Sequence, residues 1–121
     1  MYERSRHLME CNIAGFTYYD GLDVINKLEP GVNVTLKSEP ENPYDTNAVS
    51  IYFKDTKLGY IPRDKNAYIC DLLFFGHKDI LEAKISSRNL ENSAEHQFRV
   101  SVKIKDNREE LIERINEDEC I

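Results

Sequence analysis

Apolar and polar residues alternate along much of this chain, which is the pattern of strands with one buried face. The most regular alternation covers residues 98–105, where every even position is apolar. Less regular alternation predicts five further strands, at 9–15, 32–37, 48–53, 58–61 and 80–86. Short strands separated by turn residues predict antiparallel pairing.

Two short helices are predicted between the strands. The first begins at Asp20, a residue type that favours the N-cap, and the Pro-Gly pair at 30–31 ends it. The second is expected to begin with Asp64 as its N-cap and to run through Phe75. Gly76 is its predicted C-terminal stop.

The predicted fold class is therefore mainly β, with inserted helices. We expect a small six-stranded antiparallel barrel of the OB or SH3 type with two short helices and a C-terminal helix. The 121 residues have room for one core, so residues 8–105 are predicted to form one barrel domain. Residues 106–121 are predicted to form an acidic C-terminal helix or tail, because Asn107 and Glu110 match a capping box.

Charge is distributed unevenly between these two parts. The chain has 22 acidic and 16 basic residues, and seven acids but only two bases lie within 106–121. The body therefore has 15 acids (22 minus 7) and 14 bases (16 minus 2). A nearly neutral body can hold one basic patch that contacts a few phosphates, whereas binding along a duplex requires many. The acidic tail could repel DNA or cover such a patch.

Composition argues against several other classes of protein. No apolar stretch approaches 18 residues, so we expect no membrane-spanning helix and no membrane partner. The first seven residues lack the apolar core of a secretion signal. Three widely spaced cysteines favour a reducing cytoplasm over a disulfide framework or a zinc site, and the histidines are isolated. No cofactor or metal is predicted.

Residues 39–48, Glu-Pro-Glu-Asn-Pro-Tyr-Asp-Thr-Asn-Ala, form the longest run of turn-forming residues. Its two prolines prevent a sheet from continuing through it, and its Asn and Asp side chains can bond to the local backbone. The pattern predicts a rigid corner that presents Tyr44 and Asp45. A simpler interpretation stays open, in which the corner only connects two strands and Asp45 bonds to its own backbone.

These residues resemble the signature of the HIRAN domain family. The resemblance covers about residues 9–104 and is carried by the corner, by Leu-Gly-Tyr-Ile-Pro-Arg at 58–63 and by Ala-Gly-Phe-Thr-Tyr-Tyr-Asp-Gly at 14–21. The family occurs as the N-terminal module of Snf2-type fork-remodelling translocases. In bacteria it also occurs alone or beside helicase or nuclease domains, and this chain resembles the standalone bacterial type.

The best-understood members of the family are similar to OB-folds and capture the 3′-hydroxyl end of single-stranded DNA. The resemblance therefore implies a non-catalytic DNA-binding module in repair or stalled-fork processing, with a helicase or nuclease as a possible partner. The candidate binding residues that match the pattern are Tyr18, Tyr19, Tyr44, Asp45, Arg63 and, more loosely, Lys65.

Each candidate residue has a chemical role in this hypothesis. Asp45 would accept a hydrogen bond from the terminal hydroxyl. Tyr18 or Tyr44 would stack a base, which contributes roughly 1–3 kcal/mol. The Tyr19 hydroxyl would bond to a phosphate oxygen, and the basic residues at 63 and 65 would neutralise phosphates. Thr17 departs from the pattern, because DNA-binding members tend to have a basic residue there.

Two alternatives to DNA-end binding come from other classes of function. The module can serve as a structural or protein-interaction domain in which the corner only stabilises the barrel. A less favoured alternative is a metal-dependent nuclease, because Glu82 and Lys84 share one strand face and form an E-x-K pair that Asp45 could complete.

Overall fold

The computed structural model describes residues 5–105 of the chain, so the predicted tail at 106–121 lies outside the described residues. All six predicted strands are present, and they are joined by one α-helix and several 3-10 turns. The strands are β1 Ser5–Asn12, β2 Asn33–Ser38, β3 Val49–Phe53, β4 Thr56–Tyr60, β5 Leu81–Arg88 and β6 Phe98–Lys105, and the helix is α1 Ala67–Phe74.

The strands form one antiparallel sheet in the order β1-β6-β5-β2-β3-β4. The sheet curls until its two edges meet at a single bridge. There the Ala14 N–H donates to the Tyr60 carbonyl at 2.8 Å, and the Tyr60 N–H donates to the Ala14 carbonyl at 2.9 Å. The mainly β fold class and the barrel-like architecture are confirmed, as a curled half-barrel.

The core lies inside this curl. Phe98, Val100 and Val102 of β6 are buried, as the alternation predicts, and Ile104 is half-buried near the end of the strand. The ring of Phe16 packs 5.1 Å from the ring of Phe98, between centroids. The apolar face of the sheet is thus covered partly by the chain that follows β1. This segment also carries the adjacent tyrosines Tyr18 and Tyr19, called the tyrosine pair.

Two local predictions in the first third of the chain were wrong. Strand β1 begins at Ser5 and ends at Asn12, before the predicted end at position 15. The segment after it, Phe16–Tyr18, is a 3-10 turn, and the Gly15 that precedes this turn takes a left-handed conformation with φ of 72°. The next helix, Asp20–Lys27, is 3-10 in type, and no side chain caps it.

The second helix is also shorter at its start than predicted. Asp64 does not cap it, because Asp64 lies within the 3-10 turn Arg63–Lys65, and α1 begins only after Asn66. The stop at Gly76 is confirmed. Gly76 has φ of 86°, and the N–H groups of Gly76 and His77 donate to the carbonyls of Leu73 and Leu72, the pairing of a Schellman motif.

Within residues 5–105, no helix combines the length and the apolar character that crossing a bilayer requires. The longest α-helix of this part of the chain has eight residues.

Gly59 allows the two edges of the sheet to meet. Its φ is 151°, and a Cβ at this position would lie 2.4 Å from the Ala14 carbonyl oxygen and 2.7 Å from Ile13 Cγ2. We expect Gly59→Ala to lower the free energy of unfolding by about 1–3 kcal/mol more than Gly31→Ala does, since it adds overpacking to the backbone cost. Gly31 is the matched control, because its φ is 93° and a Cβ there meets no atom within 4 Å. Chemical denaturation measures both values, and equal losses would contradict the close approach.

Candidate nucleic-acid interface

A cleft of about 850 Å³ opens where the two sheet edges meet. We call it the corner cleft, because the corner at residues 39–45 supplies one wall. Tyr19, Tyr60 and the chain after β4 supply the other walls. The polar and aromatic lining residues include Tyr19, Glu39, Tyr44, Asp45, Tyr60, Arg63 and Asn66.

The corner is stabilised by hydrogen bonds within its own sequence. Asn42 Oδ1 accepts the backbone N–H groups of Tyr44 at 2.9 Å and Asp45 at 3.1 Å. The Asn42 N–H donates to the Glu39 carbonyl at 3.0 Å, and the Ala48 N–H donates to the Asp45 carbonyl at 3.1 Å. The predicted bonding of side chains to the local backbone is confirmed for Asn42, and it fixes where Tyr44 and Asp45 leave the corner.

The carboxylate of Asp45 receives hydrogen bonds on both oxygens. The Asn47 N–H donates to Oδ1 at 2.9 Å, the Asn66 amide donates to Oδ2 at 2.8 Å, and Arg63 Nε lies 3.6 Å from Oδ2. The bond from the Asn47 N–H, followed by that from Asn66, holds the pKa of the Asp45 carboxyl below its ordinary value. The side chain is 19% exposed, so a charged acceptor faces the cleft with lone-pair positions to spare.

Asn66 was missed by sequence reasoning. It precedes α1, where Asn normally caps the helix, but its side chain makes no capping bond and reaches Asp45, 21 positions away in the sequence. It is only 2% exposed, so its amide is a buried polar group that the carboxylate satisfies. The sequence pattern assigns the N-cap to Asp64, and only the tertiary contact identifies the role of Asn66.

The tyrosines of the site differ in exposure. The Tyr44 side chain is 86% exposed at the edge of the cleft. Tyr19 is half-buried in the cleft wall, where its ring packs edge-on against Tyr60 at 5.6 Å. Tyr18 points to solvent and is not among the lining residues. Of these two adjacent tyrosines, Tyr19 thus lies in the cleft wall and Tyr18 remains exposed.

The two basic candidates point in different directions. Arg63 lines the cleft, is 72% exposed, and donates to the Tyr44 carbonyl at 2.8 Å. Lys65 donates to the Glu10 carbonyl at 3.2 Å and lines a separate, smaller pocket of about 340 Å³ beside β1. Of the six candidates, the structure brings Tyr19, Tyr44, Asp45 and Arg63 together in one cleft.

A network of charged and aromatic groups lies behind one wall of the cleft, and sequence reasoning missed it. Lys57 Nζ donates to Glu39 Oε2 at 3.0 Å and to Tyr60 Oη at 2.6 Å, and the Tyr60 hydroxyl donates to Glu39 Oε1 at 2.8 Å. Burial opposes the ionisation of Glu39, but the bonds from Lys57 and Tyr60 outweigh it and keep the pKa of Glu39 below its ordinary value. Burial also raises the pKa of Tyr60 to about 12.

The residues of the nuclease alternative do not assemble into a metal site. Glu82 and Lys84 form an ion pair with each other at 3.2 Å, and neither lines the corner cleft that holds Asp45. Among residues 5–105, no group of three or more His, Cys, Asp or Glu side chains is placed to hold a metal ion.

The hydrogen bonds to the Asp45 carboxylate predict that its pKa is lower than that of a free aspartate. Carboxyl ¹³C titration by NMR should place the Asp45 pKa below that of a free aspartate, and Asn66→Ala and Arg63→Ala should each raise it, because each removes a group that stabilises the ionised carboxylate. Since ionised Asp45 stabilises the fold, its contribution is fully present above the pKa of the unfolded chain and is lost as pH falls through the folded pKa. A wild-type pKa at or above that of a free aspartate would contradict the hydrogen bonds to this carboxylate.

Comparisons with known proteins agree with this fold. The family model described as HIRAN domain matches residues 7–105. A crystal structure of a protein from Lactobacillus plantarum has a TM-score of 0.70 and 24% identity, covering 83% of this chain and 94% of that one. The HIRAN domain of human HLTF has a TM-score of 0.57 and 16% identity, covering 89% of this chain and 86% of that one. No curated protein matches at a significant level. The family model spans most of the chain, and the chain therefore belongs to the HIRAN domain family.

Proposed function

We propose that this domain is a non-catalytic module that captures the 3′-hydroxyl end of single-stranded DNA in the corner cleft. It would act in the cytoplasm in DNA repair or stalled-fork processing, beside a separate helicase or nuclease. The observation that carries the proposal is the ionised carboxylate of Asp45. It faces the same cleft as three tyrosines and one guanidinium.

The chemistry of a strand end matches this carboxylate. A terminal 3′-hydroxyl is a hydrogen-bond donor, and internal nucleotides lack it. A carboxylate has about four acceptor positions, and each oxygen of Asp45 already receives one short bond, so positions remain on both oxygens. A bond to an ionised acceptor is stronger than a neutral one. A 3′-phosphate would meet like charge at the same place.

The aromatic side chains fit a nucleobase without selecting its sequence. Tyr44 exposes most of its ring beside Asp45 and is placed to stack the terminal base. Tyr18 exposes its ring just outside the cleft and is a candidate for the next base. Tyr19, in the wall, offers its hydroxyl to a phosphate oxygen. The volume of the cleft is within the range of about 300–1,000 Å³ that is typical of small-ligand sites.

The charges in the cleft fit a short contact with the DNA backbone. Glu39, Glu41 and Asp45 line the cleft with Arg63, and Lys57 neutralises Glu39 from behind. A long phosphate track would be repelled, whereas a strand end needs few phosphate contacts. We assign the phosphate contact to Arg63 in preference to Lys65, whose ammonium is bonded to the β1 backbone.

The first test compares one labelled oligonucleotide with three ends: a 3′-hydroxyl, a 3′-phosphate and a blocked end. Fluorescence anisotropy should show the free hydroxyl bound roughly tenfold or more tightly, the effect of a charged hydrogen bond. Asp45→Asn should remove this preference while keeping the side-chain shape. Equal affinity for all three ends would refute end capture and favour the protein-interaction alternative. Cleavage that depends on magnesium would favour the nuclease.

The second test separates stacking from charge. Tyr44→Ala should weaken binding by roughly tenfold or more, whereas Tyr44→Phe should retain most of the affinity, because stacking requires only the ring. Arg63→Ala should reduce the slope of log K against log salt by about 0.7, the loss of one phosphate contact on a single strand. Lys65→Ala is the matched control and should leave that slope unchanged. If Lys65→Ala reduced the slope and Arg63→Ala did not, the phosphate contact would belong to Lys65 and not to Arg63.

A further inference from the structure

Lys57 contacts the walls of the corner cleft without lining the cleft itself. It lies in β4, and its ammonium bonds to the Glu39 carboxylate and to the Tyr60 hydroxyl. The same ammonium lies 4.8 Å from the ring centroid of Tyr19 and 4.4 Å from that of Tyr60. Glu39, Tyr60 and Tyr19 all line the cleft, so one cation contacts three of its wall residues from behind.

Each of the three side chains Lys57, Tyr60 and Glu39 is hydrogen-bonded to the other two. The Tyr60 hydroxyl accepts from Lys57 and donates to Glu39, whose other oxygen accepts from Lys57. The side chains of Lys57 and Glu39 are 23% and 26% exposed, so water does not fully replace a lost partner. Removing Lys57 or Glu39 would leave the other as a partly buried charge without its counter-ion, which is costly.

The contacts also join parts of the site that are distant in sequence. Glu39 begins the corner that presents the tyrosine and carboxylate of the proposed site, and its backbone N–H bonds to the Ala48 carbonyl at 2.9 Å. Tyr19 follows the 3-10 turn after β1, and Tyr60 forms the bridge that closes the sheet. The position of the corner relative to Tyr19 and Tyr60 is therefore set in part through Lys57.

We propose that Lys57 is a positioning residue for DNA-end capture, holding the corner and Tyr19 in the geometry that a strand end requires without touching the DNA. The inference rests on the proposed function of the cleft. Two other roles would use the same lysine differently. If Lys57 contacted a phosphate directly, removing its charge would reduce the slope of log K against log salt. If its role were purely structural, its removal would affect folding and leave the affinity for DNA unchanged.

Affinity and salt dependence of binding, with thermal stability as a reference, distinguish the three roles. Binding of an oligonucleotide with a free 3′-hydroxyl is measured at several salt concentrations, well below each unfolding temperature, for wild type, Lys57→Met and Tyr60→Phe. Lys54→Met is the matched control, since Lys54 is an exposed lysine in the same hairpin, over the Phe53 ring, and does not line the cleft. Tyr60→Phe keeps the ring and loses the hydroxyl, so it tests the network if Lys57→Met does not fold.

We expect Lys57→Met to weaken binding roughly tenfold, as the loss of a residue that orients ligand-contacting groups does. The slope of log K against log salt should stay at the wild-type value, and Lys54→Met should bind like wild type. Tyr60→Phe should weaken binding as well. The double variant should lose less than the sum of the two single losses in binding free energy, because both substitutions break one network.

Three results would overturn the inference. Unchanged affinity of folded Lys57→Met and Tyr60→Phe would make the network purely structural. A slope reduced by about 0.7 in Lys57→Met would make the lysine a phosphate contact. If the wild-type protein itself does not bind the oligonucleotide, the proposed function fails and this inference fails with it. If wild type binds and the variants bind equally well, the inference fails alone.

Discussion

The hydrogen bond between Asn66 and Asp45 is the contact on which the proposed site depends. It joins the corner to the residue that precedes α1. The Asn66 amide holds one carboxylate oxygen of Asp45, and the backbone N–H of Asn47 holds the other. The bond satisfies a buried amide and a charged oxygen together, and either group alone would be costly to bury. Arg63 extends the same arrangement by bonding to the Tyr44 carbonyl.

The curl of the sheet places this corner beside the tyrosine pair. Two backbone hydrogen bonds between Ala14 and Tyr60 join the chain after β1 to β4, although β1 and β4 are at opposite ends of the strand order. Gly59 permits that approach because a side chain at its position would collide with the Ala14 backbone. The cleft is therefore a consequence of closure, and its walls come from segments that only closure brings together.

The charges around the cleft are compatible with the proposed binding of a nucleic-acid end by an acidic protein. The acidic side chain of Glu39 is neutralised by Lys57, and the negative charge of Asp45 is stabilised by neutral donors before any cation contributes. The charged groups that remain to face a ligand are the carboxylates of Asp45 and Glu41 and the exposed guanidinium of Arg63. Such a site is suited to one polar terminus and a few phosphates, which agrees with the near-neutral charge of the body of the chain.

Alternation, prolines and glycines act over a few residues, so the six strands, the position of the corner, the helix stop at Gly76 and the family resemblance could be inferred from the amino-acid sequence alone. The same local rules predicted that Tyr44 and Asp45 leave a turn whose bonds are local. They could not predict the distant partners of that turn. Asn66 and Lys57 bond to Asp45 and Glu39, which are 21 and 18 positions away along the chain. Only the closure of the sheet decided those contacts, because a hydrogen bond between distant segments depends on where the backbone places them.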